Sequence, residues 1–401
     1  MIFIHFYLMR IAIIIAIYLC FPIIIAIGFQ KWDIVRKIGT VISAYAIGIV
    51  MSLTGLVSFE TGSADAELLQ SVQKWIMNIT VPLAIPLMLL SSDFKLWSKT
   101  LSKTVYALMG GLLSVLVAVV VVFFVFKNVG IDNFPDILAM MVGIYTGGTM
   151  NFAALGTALH INSTIMTCLM TIEMLITFPY LLFVIGGGFK LFRRILPFHE
   201  TDQKSIQKLK AKNDGVENYE HMLDRRIAPF TAIAIGISLI FLAIGAGISL
   251  ALTGTLQEMI VILTVTTLAI IASFFKKIRR LPKTFEMGMI LILMFSVDVA
   301  SQLDFSILAS SMTILLYLVL FIMLISIVLH CIFCRLTKVN GDLFTVANIG
   351  LLCSPPFIAP VVGAMGNKSV LISGIAIGIV GYAIGTYFGI GIDYLFNELL
   401  P

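Results

Sequence analysis

Apolar residues run along the chain in twelve long blocks, at about 8–28, 39–59, 75–92, 104–126, 137–158 and 163–188, and again at about 228–252, 258–275, 285–303, 306–334, 343–366 and 369–396. A helix rises about 1.5 Å per residue and the hydrocarbon core of a bilayer is roughly 30 Å thick, so a crossing takes about 20 mostly apolar residues. The blocks have that length, which predicts an all-α integral membrane protein. One polar stretch separates the first six blocks from the last six. It carries Lys190, Arg193, Arg194, Lys204, Lys208, Lys210, Lys212, Arg225 and Arg226 and nothing apolar enough to insert. The chain therefore reads as a first half 1–189, a basic linker 190–226 and a second half 227–401.

Charge between the blocks sets their direction. Lys31–Lys37, Lys95–Lys103, the linker, Lys276–Lys283 and Arg335–Lys338 are basic, and cytoplasmic loops collect Lys and Arg. The alternating connections Glu60–Glu67, Lys127–Asp136, Thr253–Glu258 and Ser301–Asp304 are acidic or nearly neutral and belong outside. With 127–136 outside and the linker inside, the two blocks between them must cross an odd number of times, so one does not span.

The block 137–158 supplies the reason, because Gly147 and Gly148 sit at its centre in Tyr145-Thr-Gly-Gly-Thr-Met-Asn151. Each side is then only about ten residues, roughly 15 Å of helix, which reaches the midplane. In the second half 343–366 is interrupted midway by Ser354-Pro355-Pro356, and proline lacks the N–H that would continue a helix. Both read as re-entrant hairpins, or as discontinuous crossing helices, entering from opposite sides. The expected architecture is about ten transmembrane helices plus these two elements, in two inverted repeats of five. Both termini are placed outside and the linker in the cytoplasm, in the inner or plasma membrane. A short echo between Leu90-Ser-Ser-Asp93-Phe94 and Ser301-Gln-Leu-Asp304-Phe305 agrees, with Asp93 inside and Asp304 outside.

Composition supports this reading: 60% of residues are hydrophobic, 12% are charged and the mean hydropathy is +1.07. Lipid is thus the first partner. The net charge of +5 lies in short runs between apolar blocks rather than on one face, which argues for topology and against nucleic acid. Residues 1–28 lack an Ala-x-Ala-like cleavage site after Arg10 and count as the first helix. Cys20, Cys168, Cys331, Cys334 and Cys353 fall in or beside apolar blocks and read as packing residues; Cys331 and Cys334 have no second ligand pair for a metal. No P-loop, H-E-x-x-H or G-x-S-x-G occurs, so ATP-driven transport and common hydrolase chemistry lack support and no enzyme activity is expected.

Non-helical backbone at membrane depth is costly unless it lines a wet cavity or binds something, which makes the two breaks the expected site. The first supplies Thr146, Gly147, Gly148, Thr149 and Asn151, the second Asn348, Ser354, Pro355 and Pro356. Glu173, flanked by Thr171 and Thr177, and Asp298 are the central intramembrane acids and are expected to help couple a cation, with Thr177 beside Glu173. His160 and His330 sit near block ends and receive no role. Gly374, Gly378, Gly381, Gly385 and Gly389 make a smooth face on the last helix, expected to pack on the second hairpin.

The run Met141-Val-Gly-Ile-Tyr-Thr-Gly-Gly-Thr-Met-Asn-Phe-Ala-Ala154, with Ala84-Ile-Pro-Leu-Met-Leu-Leu90 and Gly378-Ile-Val-Gly-Tyr-Ala-Ile-Gly-Thr-Tyr387, resembles the membrane family called domain of unknown function 819 over nearly the whole chain. That family looks related to the cation/proton antiporters and anion transporters, including bile acid, glutamate and citrate sodium symporters. The resemblance implies a panel domain, a mobile core domain holding both hairpins, elevator-like alternating access and a homodimer through the panel domain. The second hairpin, Asn348-Ile-Gly-Leu-Leu-Cys-Ser-Pro-Pro, is less Gly-rich than the resemblance leads one to expect.

The function expected is a sodium-coupled symporter of a small polar solute: an organic anion, an amino acid or a short peptide. No cofactor is expected beyond transported Na+, with a possible sodium site at the hairpin tips and no other metal. Alternatives are a proton-coupled transporter or antiporter of the same fold, a passive channel, and a membrane-embedded enzyme using Glu173 and Asp298 as a carboxylate pair.

Overall fold

A computed structural model of the chain describes residues 2–59, 63–90, 101–197, 218–222, 224–303 and 313–399. Among these residues every regular element is a helix or helical turn. In chain order they are α1 (Ile2–Lys31), α2 (Asp33–Ile38), α3 (Thr40–Leu53), α4 (Ala64–Leu90), α5 (Leu101–Phe126), α6 (Phe134–Ala158), α7 (Ser163–Phe183) and α8 (Phe189–Ile195). The second half continues with α9 (Ala228–Thr253), α10 (Glu258–Ser273), α11 (Lys276–Arg279), α12 (Thr284–Ser301), α13 (Thr313–Leu336), α14 (Gly341–Leu352), α15 (Ile358–Met365) and α16 (Leu371–Leu399). Asp93, Asp304 and most of the linker lie outside the described residues.

Among the described residues, eight helices are long and apolar enough to cross a membrane. Two blocks read as spans are shorter than expected. α3 has 14 residues and α10 has 16, against the roughly 20 a perpendicular crossing needs. The cause at α3 is local: Gly39 before it has φ 97, and Gly55 just after it has φ 68, both conformations that end a helix. Conversely, α7 runs on into α8 through a single wide turn, Val184–Gly188, in which Gly187 takes φ 125.

The chain forms two compact units, each drawn from both halves. The first comprises Met1–Phe94 and Leu209–Leu303, the second Lys95–Lys208 and Asp304–Pro401. In the first unit α12 is the central helix, with α1, α3 and α4 around it. Glycine permits the close approaches. A Cβ on Gly48 would stand 2.5 Å from Ala300 Cβ, and one on Gly288 would stand 2.9 Å from the Ala84 carbonyl oxygen. Arg10 of α1 donates to the carbonyls of Gly55, Leu56 and Ser58, satisfying acceptors left open past the end of α3.

In the second unit α6 lies along α16, which also packs against α14, while α13 packs against α5. Ala139 and Leu155 are 16 positions apart in α6, yet a Cβ on Gly389 of α16 would stand 2.9 Å from both the Ala139 carbonyl oxygen and Leu155 Cδ2. An unbroken helix would separate them by roughly 24 Å. The chain therefore doubles back at Gly147–Gly148, where helical dihedrals fail. α14 and α15 double back in the same way. Arg193 Nη2 of α8 reaches both Asp342 Oδ2 at 3.0 Å and the Met365 carbonyl at 3.2 Å, the two feet of that hairpin.

Candidate functional site

The site grows from two backbone breaks. Gly148 adopts φ 69, ψ −165, a region essentially reserved for glycine. Ser354 adopts φ 85, ψ 158, the same region, without glycine's freedom. A serine held there stores about 1–3 kcal/mol of strain, of the kind that clusters at ligand sites. The two positions face each other: a Cβ on Gly148 would lie 3.1 Å from Ser354 Cβ and against its Oγ. The hairpin tips thus meet.

The glycine face of α16 holds both tips in register. A Cβ on Gly378 would stand 2.6 Å from Pro355 Cγ, one on Gly381 would run into the Thr146 carbonyl, and one on Gly385 would stand 2.5 Å from Thr146 Oγ1. The stripe read as packing on the second hairpin therefore seats the first as well.

The first break brings together the residues expected there, most of them already committed to the scaffold. Thr146 Oγ1 donates to the Val142 carbonyl at 2.7 Å. Asn151 is buried and anchored, its Nδ2 donating to the Gly381 carbonyl at 3.3 Å and its Oδ1 accepting from Thr386 at 3.1 Å. Thr149, which opens the returning arm, is exposed. The returning arm starts a new helical direction after Gly148, and the N-terminal end of a helix is favourable for an anion.

Glu173 of α7 flanks both tips. It is buried, accepts a 2.6 Å hydrogen bond from Thr177, and lies within electrostatic range of Tyr145, next to Thr146, and of Cys353, next to Ser354. A carboxylate, a threonine hydroxyl and the carbonyls freed at two breaks are oxygen ligands of the kind hard cations take. Among the described residues no group of three His, Cys, Asp or Glu stands together as a transition-metal site would require.

Two residues outside the expected set complete the second tip. His330 of α13 is fully buried; its Nε2 meets the Ala107 carbonyl at 2.9 Å and must therefore carry the proton. Nδ1 is left as acceptor for Asn348 Nδ2 at 3.2 Å, so Asn348 Oδ1 is free to accept from the Tyr180 hydroxyl. The chain of donors runs in one direction and fixes the Asn348 amide. Asp298, by contrast, belongs to the first unit, so the two acids read as acting together lie in different units.

A family model described as "Protein of unknown function (DUF819)" matches residues 12–399. The chain belongs to the DUF819 family. A curated relative from Bacillus subtilis (strain 168), "Uncharacterized membrane protein YjcL", is 22% identical over 368 residues, which covers 88% of this chain and 90% of the relative. The eight apolar helices and this relative together make this DUF819 chain a multi-pass membrane protein. The Tyr-Thr-Gly-Gly run from which the resemblance was read lies at the hinge of the first hairpin.

Proposed function

We propose that this protein is a secondary active transporter: a sodium-coupled symporter of a small polar solute, by elevator-type alternating access. The observation that carries the reading is the meeting of two backbone breaks, Gly148 against Ser354, at the tips of two hairpins within one compact unit. Freed N–H and C=O groups converging at membrane depth suit a solute and its ion, helix N-termini facing anionic groups and carbonyls facing the cation. On this reading Thr146, Thr149, Asn151, Asn348 and Ser354 line the solute and ion sites, and Glu173 with Thr177 coordinates sodium.

The unit boundaries support an elevator. Each half gives its first helices to one unit and its hairpin with the flanking helices to the other, as a panel and a core built from inverted repeats would require. The short second helices, α3 and α10, occupy equivalent places in the two halves. The linker then lies in the cytoplasm, both termini lie outside, and the panel unit is the natural dimer surface.

A thermal-shift screen of organic anions, amino acids and short peptides, with sodium or choline as the cation, identifies the solute, because a ligand that binds only the native state raises its stability. Uptake of the selected solute into proteoliposomes follows, with sodium and pH gradients imposed separately. Accumulation that depends on the sodium gradient is expected. Uptake that follows pH alone overturns the sodium assignment, and flux that never exceeds equilibration overturns active transport in favour of a channel.

A further inference from the structure

The first unit contains a carboxyl that the hairpin site does not use. Asp298 of α12 is fully buried, and neither of its oxygens has a hydrogen-bond partner. The ion pairs among the described residues all lie elsewhere, at Asp33, Asp342 and Asp224.

The buried hydroxyls and amide nearest to it are engaged with one another. Ser301, one turn along α12, spends its hydroxyl proton on the Asp298 main-chain carbonyl at 2.7 Å. The Tyr18 hydroxyl, 2.6 Å from Ser301 Oγ, must then donate to that oxygen, and Gln73 Nε2 donates in turn to Tyr18 at 3.0 Å. Gln302, also one turn on and exposed, is the one neutral donor near the carboxyl, and its amide nitrogen stands 3.9 Å from the Met77 sulfur. The buried titratable side chains on the helices packed against α12 are Tyr18 of α1 and Tyr45 of α3; α4 offers Gln73, which does not titrate, and α9 offers none. Glu286, on α12 itself, lies 12 residues before Asp298. No cation faces the carboxyl from any of these elements.

An ionised carboxylate in such a place is an uncompensated buried charge, which costs several kcal/mol even after the surroundings relax. A metal cation would ask for a cage of several oxygens, and the hydroxyls and amides here are already engaged with one another. A proton asks for one oxygen.

We propose that Asp298 is a proton-binding site of the first unit, occupied in the conformation described, where the side chain is a neutral carboxylic acid. Binding forms one O–H bond on a carboxyl oxygen, and release returns the proton to water. Because the charged form is excluded while the site stays dry, release accompanies a rearrangement of α1, α4 and α12 that admits water. The site is independent of the solute reading, since it lies in the other unit from the hairpins.

The test is attenuated-total-reflection infrared spectroscopy of the full-length protein in lipid at neutral pH, read at the C=O stretch of protonated carboxyls. Protein grown on carboxyl-13C-labelled aspartate is compared with unlabelled protein, and Asp298→Asn and Asp298→Glu are measured alongside. The expected result is a band that moves on aspartate labelling in the wild type, is lost in Asp298→Asn, and no longer responds to the label in Asp298→Glu. Absence of any label-sensitive band in the wild type overturns the proposal without recourse to a variant. So does a band that persists unchanged in Asp298→Asn. Carboxylate bands together with stabilisation by sodium chloride over choline chloride that Asp298→Asn removes would assign a metal cation instead and equally overturn it. Glu173 is silent to the aspartate label, so failure here leaves the transport reading standing.

Discussion

Removing Arg193 should loosen the second hairpin more than neutralising its partner. Arg193 grips Asp342 with two bonds, Nε to Oδ1 at 2.6 Å and Nη2 to Oδ2 at 3.0 Å, and reaches the far foot of the hairpin through the Met365 carbonyl. Asn367 adds a 2.7 Å bond to Asp342 Oδ2. The pair is unequally buried: the Asp342 side chain is 1% exposed, that of Arg193 22%. Arg193→Ala leaves a buried carboxylate with one amide for company, a loss of about 3–5 kcal/mol. Asp342→Asn keeps the shape and leaves a cation that water already reaches, a loss of about 1–3 kcal/mol. The double variant should cost less than the sum, since the stranded charge is gone. Thermal unfolding in detergent, followed by a thiol-reactive dye that reaches the buried Cys334 and Cys353 only on opening, reads the difference. Arg193→Ala should lower the midpoint by an amount on the order of 10 °C and Asp342→Asn by clearly less. Equal midpoints for the two single variants, or strict additivity in the double, would refute the reasoning.

The same unfolding assay checks three further expectations. Ser354→Gly should raise the midpoint, because about 1–3 kcal/mol of backbone strain is relieved, while Ser354→Ala, which keeps the strain, should not. Gly389→Ala, whose methyl would stand 2.9 Å from the Ala139 carbonyl, should cost about 1–3 kcal/mol by prising the first hairpin off α16, whereas Gly391→Ala on the same helix meets nothing within 4 Å and should be neutral or stabilising. Tyr180→Phe removes the donor to Asn348 and should cost about 1 kcal/mol.

How much of this was written in the sequence depends on the kind of signal. The two hairpins were legible because their causes are local: a Gly-Gly pair and a Ser-Pro-Pro break in the middle of apolar blocks, sharpened in the first half by a charge count that leaves one of its blocks unable to cross. The stripe on α16 was visible at four-residue spacing, but which partner it served was not, because a smooth face records closeness and not identity. The short α3 escaped because hydrophobicity continues through Gly55 to Val57 while the helix does not. His330 read as an ordinary histidine near the end of its block; its importance comes from Ala107 and Asn348, brought to it by folding, 223 and 18 positions away. The Arg193–Asp342 clasp was hidden for the same reason, with 149 residues between its ends and Arg193 counted among linker charges. Ser354 stands out in the sequence by its hydroxyl and its place before Pro355-Pro356; that its backbone is strained is a property of the fold.

The central claim is that ion and solute are handled where Gly148 and Ser354 meet. Sodium-jump currents from proteoliposomes on a solid-supported membrane, recorded with the solute found by thermal shift, test it most directly by comparing wild type with Ser354→Leu and Glu173→Gln. The account predicts a solute-dependent current in the wild type that both substitutions abolish while each protein still unfolds cooperatively. A wild-type-sized current from Ser354→Leu would contradict it.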